Sequence, residues 1–197
     1  MTSALIVIDV QNDFCPGGAL AVPDGDAVVP VINDMIARWQ TVILTQDWHH
    51  AGHSSFASQH PGTSPFETMP MPYGEQVLWP DHCIQGTRGA AFHTDLNTNA
   101  DLILRKGFRP EIDSYSALFE NDRTTATGLD GYLRDRAIHS LTLVGLATDF
   151  CVFFSAMDAK RLGYDVSVDL AGCRGIDLNG SLEAALQTMR AAEVTLI

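Results

Sequence analysis

Short, unbroken apolar runs alternate with amphipathic stretches along most of this chain, and the polar residues that close the runs are the ones suited to chemistry. Ala4-Leu-Ile-Val-Ile8 is closed by Asp9, the pattern of a parallel strand covered on both faces. From Asp26 to Trp39, apolar residues at Val29, Ile32, Ile36 and Trp39 recur at helical spacing, and Thr41–Thr45 reads as a second buried strand. Those three segments make one βαβ unit. Residues 46 to about 98 show no sustained period; they collect Pro, Gly, Ser and most of the histidines. A stretch that long in a compact fold is functional or disordered. Ala100–Leu104 predicts a third strand leading into Arg105-Lys106-Gly107, followed by a helix near Leu129–Arg136 and a strand at Leu141–Leu146. Thr148-Asp149 opens a helical pattern through Cys151, Phe154, Met157, Ala159 and Leu162 that Gly163 stops, glycine being a favoured helix terminator. Asp165–Val168, a helix over Leu182–Ala192 and a last strand at Val194–Ile197 complete the alternation. The pattern predicts a three-layer α/β/α fold around a mostly parallel, doubly wound sheet. No repeat or linker interrupts it, so one domain over residues 1–197 is expected.

Composition narrows the partners. A chain of 197 residues can bury about 70% of its unfolded surface and needs no staples. Its net charge of −12 repels phosphate backbones and anionic lipid, which argues against nucleic acid and membrane surfaces and for a small, neutral partner. The most apolar window, Leu141–Phe154, is broken by Asp149 and is too short to span a bilayer. Met1-Thr2-Ser3 lacks the basic start and cleavage site of a signal peptide, so a cytoplasmic setting is expected; a homo-oligomer is compatible with all of this. Cys15, Cys83, Cys151 and Cys173 lie far apart in a chain too long for a disulfide scaffold, and in a reducing compartment each is either inert core or a reactive thiol.

Two constellations carry candidate chemistry. Asp9, Lys106 and Cys151 all fall at or just past the carboxyl ends of expected strands, the edge where open α/β sheets place their sites. A cysteine in the first turn of a helix feels the positive end of the helix dipole, and a neighbouring ammonium would lower its pKa further, predicting thiolate near neutral pH. Taken singly, a strand-end Asp also caps turns and a Cys on an apolar helix face is usually filler. Lys106 gains weight because Lys160 is the only other lysine. The second constellation is Gln46-Asp-Trp-His-His-Ala-Gly-His53 with Trp79-Pro-Asp-His-Cys83. Asp47 and His49 alternate along an extended segment and can face one point. With His82 they would form a carboxylate and two imidazoles open to water or substrate, suited to a divalent ion such as zinc or iron. His50, His53 and His60 read as bystanders in an exposed loop, His93 and His139 as structural.

With these residues in view, nearly the whole chain resembles the isochorismatase-like cysteine hydrolase superfamily, and within it the metal-dependent nicotinamidase (pyrazinamidase) branch. The matching segments are Val7-Ile-Asp-Val-Gln-Asn-Asp-Phe-Cys-Pro-Gly-Gly-Ala-Leu20, Gln46-Asp-Trp-His49, Ser54-Ser-Phe-Ala-Ser58, Trp79-Pro-Asp-His-Cys-Ile-Gln-Gly-Thr87, Lys106-Gly107, Asp113-Ser-Tyr-Ser-Ala117 and Gly145-Leu-Ala-Thr-Asp-Phe-Cys151. The first, Lys106 and the last mark the superfamily; the two histidine segments mark the metal-dependent branch. The resemblance implies a catalytic set of Asp9, Lys106 and Cys151, metal ligands Asp47, His49 and His82 for one divalent ion (zinc, iron or manganese), and His53 as an additional ligand or supporting group. It further implies a ring pocket containing Phe14 and Trp79, a cis peptide before Ala147, and an oxyanion held by the N–H groups of Ala147 and Cys151. The implied reaction is hydrolysis of nicotinamide, and of ring amides such as pyrazinamide, through a thioester. Phe150 stands where many relatives carry a polar or aromatic residue. The rival readings are a metal-free hydrolase of another amide, a carbamoyl compound or isochorismate, and a catalytically silent binding protein; the complete metal and nucleophile sets speak against both.

Overall fold

A computed structural model describes residues 2–197. Its six-stranded sheet has the order β5-β2-β1-β6-β7-β8 and every pairing in it is parallel. The strands are β1 (Thr2–Ile8), β2 (Val42–Asp47), β5 (Leu102–Lys106), β6 (Ile138–Leu146), β7 (Asp165–Arg174) and β8 (Thr195–Leu196). The chain winds from β1 outward through β2 to β5, then returns beside β1 as β6 and winds the other way. Ligands of such sheets bind at that reversal, beyond the carboxyl ends. Four helices pack around the sheet: α1 (Val28–Ile36), α2 (Leu129–Asp135), α3 (Phe153–Arg161) and α4 (Ser181–Ala191). α1 lies on β6 and β7, α2 on β6, α3 on β7, and α4 on β8. This is the expected doubly wound α/β architecture, with a sheet parallel throughout.

Burial explains the apolar runs. Leu5, Ile6, Val7 and Ile8 of β1 and Leu141, Leu143, Val144 and Leu146 of β6 are all at most 1% exposed, because a central strand covered on both faces has no solvent side. β1 and β6 also approach closely. Gly145 sits at φ +119°, and a Cβ there would run into the backbone of Ile8, so only glycine serves.

Several boundaries differ from the sequence reading. The first helix is shorter than Asp26–Trp39, being preceded by a 3₁₀ turn at Gly25–Ala27; Pro30 sits in its first turn, where no amide hydrogen is needed. β5 lies two residues further along than expected, so Lys106 ends the strand rather than following it. β7 continues past Val168 to Arg174, carried through Asp169 by renewed pairing of Cys173 with Gly145. The stretch 46–98 contains a hairpin, β3 (Thr68–Met71) and β4 (Gly74–Val77). Its two four-residue strands, one containing Pro70, are too short and too exposed to show an alternation. The segment bearing Cys151 also differs: Thr148–Val152 forms a π-helical turn, and α3 begins only at Phe153. Cys151 therefore belongs to that turn, not to the first turn of an α-helix.

Candidate active site

The carboxyl ends of four neighbouring strands meet at the reversal point. β1 delivers Asp9, β2 delivers Asp47, β5 delivers Lys106, and β6 runs into Ala147 and the turn bearing Cys151. Parallel strands share one direction, so residues 38 to 142 positions away from Asp9 are gathered by topology alone.

Lys106 is the hub. Its side chain is fully buried, and its ammonium lies 2.8 Å from Asp9 Oδ2 and 2.5 Å from Asp47 Oδ1. It also donates to the Ser114 carbonyl at 2.8 Å and contacts Cys151 Sγ at 3.5 Å. A buried cation is costly unless paired, and two carboxylates hold this one. Burial pulls the ammonium down, but Asp47 and Asp9 together raise it well above the usual lysine range, so it stays charged. Asp9 Oδ1 accepts from the Thr45 hydroxyl at 2.6 Å, whereas its Oδ2 meets Lys106 as an ion pair without a well-directed hydrogen bond. Burial raises the Asp9 carboxyl to about 6, with Lys106 opposing and Asp47 adding to the rise. It is thus ionised at neutral pH yet basic enough to take a proton.

The thiol differs from expectation. Burial pushes Cys151 well above the ordinary thiol value, and the charges of Asp9 and Asp47 offset the pull of Lys106. The expected thiolate near neutral pH is therefore corrected: the group rests as a thiol, because its cation is already neutralised by two carboxylates and no α-helical first turn lies beneath it. Its Sγ, one oxygen of Asp9 and one of Asp47 lie within 4.8 Å of one another, so a proton can pass to Asp9 as the sulfur reacts.

Asp47, His49 and His82 bring one ligand atom each within 4.8 Å of one another. His49 Nδ1 donates to the Gly107 carbonyl and His82 Nδ1 to the Pro80 carbonyl, both at 2.8 Å. These bonds fix the tautomers and turn the free Nε2 atoms inward, as metal-binding imidazoles require. Burial, reinforced by His49, lowers His82 to about 4, so it stays neutral. Burial works against the Asp47 carboxylate, but Lys106 and His49 beside it hold its pKa well below the usual range. One anionic oxygen and two imidazoles, buried together, suit a divalent ion of borderline softness. Burial pulls the His49 imidazole down, but Asp47 beside it raises its pKa above the ordinary value, so an ion binding there would displace a proton from it.

His53 stands behind this set. It groups with His49 and Asp113, its ring 4.5 Å from that of His49. Its Nδ1 accepts the Ser55 N–H at 3.2 Å, while its buried Nε2 has no partner. The Ser55 hydroxyl also lies 2.8 Å from that Nδ1, so both polar groups of Ser55 anchor the ring beside the Asp47, His49 and His82 set. His49 cannot serve two ions, since its Nδ1 is spent on Gly107.

One cavity touches both constellations. Phe14, Trp79, Tyr115, Phe150 and Ile176 wall it, and Cys151, Ala147, Asp47, His49 and His82 line it as well. The Leu146–Ala147 peptide is cis. Tyr115, Ile176 and Leu20 were not singled out in the sequence; Tyr115 lies inside the matched Asp113–Ala117 segment and Leu20 ends the matched Val7–Leu20 segment, whereas nothing marks Ile176. Asp149 ties the nucleophile turn to the loop carrying Ile176, accepting from the amides of Ile176 and Asp177 and the hydroxyl of Ser181.

Known proteins share this arrangement of strands. A nicotinamidase of Acinetobacter baylyi is 52% identical over 195 residues, covering 98% of this chain and 91% of that protein. A solved structure described as an Acinetobacter baumanii nicotinamidase and pyrazinamidase superposes with a TM-score of 0.98 at 56% identity, over 100% of this chain and 95% of the other. A Pyrococcus horikoshii pyrazinamidase solved in complex with zinc has a TM-score of 0.81 at 32% identity, over 100% and 99%. The family model described as the Isochorismatase domain matches residues 3–197, a span that takes in every strand end of the site, and the chain belongs to the isochorismatase family.

Proposed function

We propose that this protein is an amidohydrolase that converts nicotinamide to nicotinate and ammonia, and accepts pyrazinamide, in cytoplasmic NAD salvage. The observation that carries the reading is the contact of Lys106 with Asp9 and with Cys151 Sγ, beside a cavity walled by aromatic rings. The names of the similar proteins support the substrate. Among the described residues no helix is long and apolar enough to cross a membrane, which is compatible with the cytoplasmic setting.

The residues act in order. Asp9 takes the thiol proton as Cys151 Sγ bonds to the carboxamide carbon, and the carbonyl electrons move to oxygen. The N–H groups of Ala147 and Cys151 receive that oxyanion, and Lys106 offsets the charge held by Asp9 and the sulfur. Asp9 returns its proton to the nitrogen as the C–N bond breaks, releasing ammonia and leaving a thioester, so one difficult cleavage becomes two easier ones. Water then attacks the thioester with Asp9 as base, and the C–S bond breaks to give nicotinate while Asp9 returns the proton to the departing sulfur, restoring the thiol. Phe14 and Trp79 flank the ring. Asp47, His49 and His82 would hold a divalent ion, zinc, iron or manganese, which when bound supplies an electron-pair acceptor for the ring nitrogen.

Ammonia release from nicotinamide, measured with and without chelator, tests the reading. Cys151→Ala is expected to abolish release with circular dichroism and metal content unchanged. Turnover retained in that variant would overturn the thioester route.

A further inference from the structure

The hairpin of β3 and β4 protrudes from the irregular stretch, and of its strand residues only Gln76 is buried. Its carboxamide is enclosed by side chains that reach the cavity. Gln76 Nε2 lies 2.8 Å from Asp113 Oδ2, 2.7 Å from the Tyr115 hydroxyl and 2.8 Å from the Val77 carbonyl. Its Oε1 accepts from Asn121 Nδ2 at 3.0 Å and from the Tyr73 hydroxyl at 3.3 Å. Two amide hydrogens thus serve three acceptors; of the hairpin's other side chains, Val77 packs partly buried against the core and Tyr73 reaches Gln76 itself.

Tyr115 is where this matters. Its hydroxyl oxygen accepts from Gln76 on one side and from Trp79 Nε1, at 3.1 Å, on the other. Its ring stands edge-on to Trp79 and to Phe150, with centroids 6.1 and 5.7 Å away, and all three rings wall the cavity that contains Cys151. The ring is therefore pinned at its far end by one bond from the hairpin and one from the pocket wall. Asp113, the other acceptor, keeps only the Ser114 N–H besides Gln76 and lies in the group with His49 and His53.

We propose that Gln76 is a positioning residue for the pyridine ring, acting through the Tyr115 hydroxyl, so that the hairpin sets the wall against which substrate packs. The proposal rests on the amidase reading for its substrate. A wall that touches the ring alike in ground and transition states alters binding and leaves the chemical step alone. Gln76→Leu, which keeps the volume and loses the amide, should raise KM for nicotinamide roughly 5–10-fold, the scale of one neutral hydrogen bond, with kcat within about twofold. Metal content should not change.

Two further measurements separate positioning from general loosening. In a Tyr115→Phe background the hydroxyl is gone, and adding Gln76→Leu should change KM by less than about twofold, because coupled residues are not additive. A full effect in that background overturns the route through Tyr115, and an unchanged KM in the single variant overturns the role itself. Calorimetric titration with nicotinate reads the same wall without turnover, and the dissociation constant should rise with KM. Failure of the parent protein to hydrolyse nicotinamide would sink the amidase reading, whereas the nicotinate titration would still judge Gln76. Should Gln76→Leu not fold, Gln76→Asn, which withdraws the amide by one carbon, makes the same comparison, and an unchanged nicotinate affinity there counts against the proposal.

Discussion

Lys106 Nζ donates to Asp47 Oδ1 at 2.5 Å, joining the cation beside the proposed nucleophile Cys151 to the carboxylate of the proposed ion-binding set. Both side chains are buried, 0% and 5% exposed, so neither can exchange its partner for water. The charge on Asp47 therefore belongs to two constellations at once. It neutralises Lys106, and with Asp9 it helps keep the Cys151 thiol protonated.

Substitutions in the ion-binding set should accordingly divide into two kinds. Asp47→Asn removes a ligand and also a negative charge near Cys151, so metal content should fall and the thiol pKa should drop. His82→Ala removes a ligand alone. In chelated protein, iodoacetamide should alkylate Cys151 faster in Asp47→Asn than in the parent, and at the parent's rate in His82→Ala. Both variants should lose metal affinity by at least the roughly 10–100-fold that loss of an outer partner costs. Equal alkylation rates in the two variants would show that Asp47 and Lys106 are not coupled.

Gly107 is the backbone support of His49. It lies at φ +63°, its carbonyl accepts the His49 Nδ1 proton, and a Cβ there would come 2.5 Å from His49 Cε1. Gly107→Ala should therefore cost about 1–3 kcal/mol of backbone strain and turn the imidazole away from its ligand position. Metal titration is expected to show affinity weakened by about 10–100-fold. Unchanged metal affinity would mean that His49 does not depend on this carbonyl.

The strand ends were legible because a parallel sheet buries its strands on both faces: an apolar run followed by Asp9 announces both the strand and the place where its chemistry emerges. The Asp47, His49 and His82 set was visible as residue types at workable spacing, although its closure depends on carbonyls of Gly107 and Pro80 that no pattern reveals. The resting thiol was misjudged because burial and two carboxylates are tertiary facts; the sequence shows the ammonium but not how thoroughly it is neutralised. The hairpin escaped for the opposite reason, its eight strand residues carrying too little buried surface to print an alternation. Gln76 looks like any surface glutamine until Tyr115 and Asp113 fold against it.

The sheet's centre and edge should respond differently to the same truncation. Ile6 of β1 is 1% exposed and Ile103 of β5 is 47% exposed. Ile6→Ala leaves a cavity between two covered faces and should cost about 2–5 kcal/mol, lowering Tm by roughly 2–4 °C for each kcal/mol in a chain of this length. Ile103→Ala should stay within about 0.5 kcal/mol. Thermal melts of the two variants check this, and similar losses would mean that β5 is covered in solution.

Glu120 gives the fold a pH dependence of known sign. Its side chain is 2% exposed, and its Oε1 accepts from Arg109 Nε at 3.1 Å, while Arg109 itself is 46% exposed. The other carboxyl oxygen is buried without a partner. Burial raises the carboxyl from its ordinary 4.5 to about 7, outweighing the pull of Arg109. The folded state thus holds this proton more tightly than the unfolded chain, and stability falls as pH rises wherever the native form binds more protons. The group's stabilisation is complete below about 4.5 and is lost as pH climbs through 7. Glu120→Gln keeps a neutral, hydrogen-bonding side chain at every pH, so it should remove that loss. Urea unfolding midpoints at pH 5 and pH 8 check the sign: the variant should gain on the parent between the two, and a larger gain at pH 5 would mean that Glu120 is ionised in the folded protein and stabilised by Arg109.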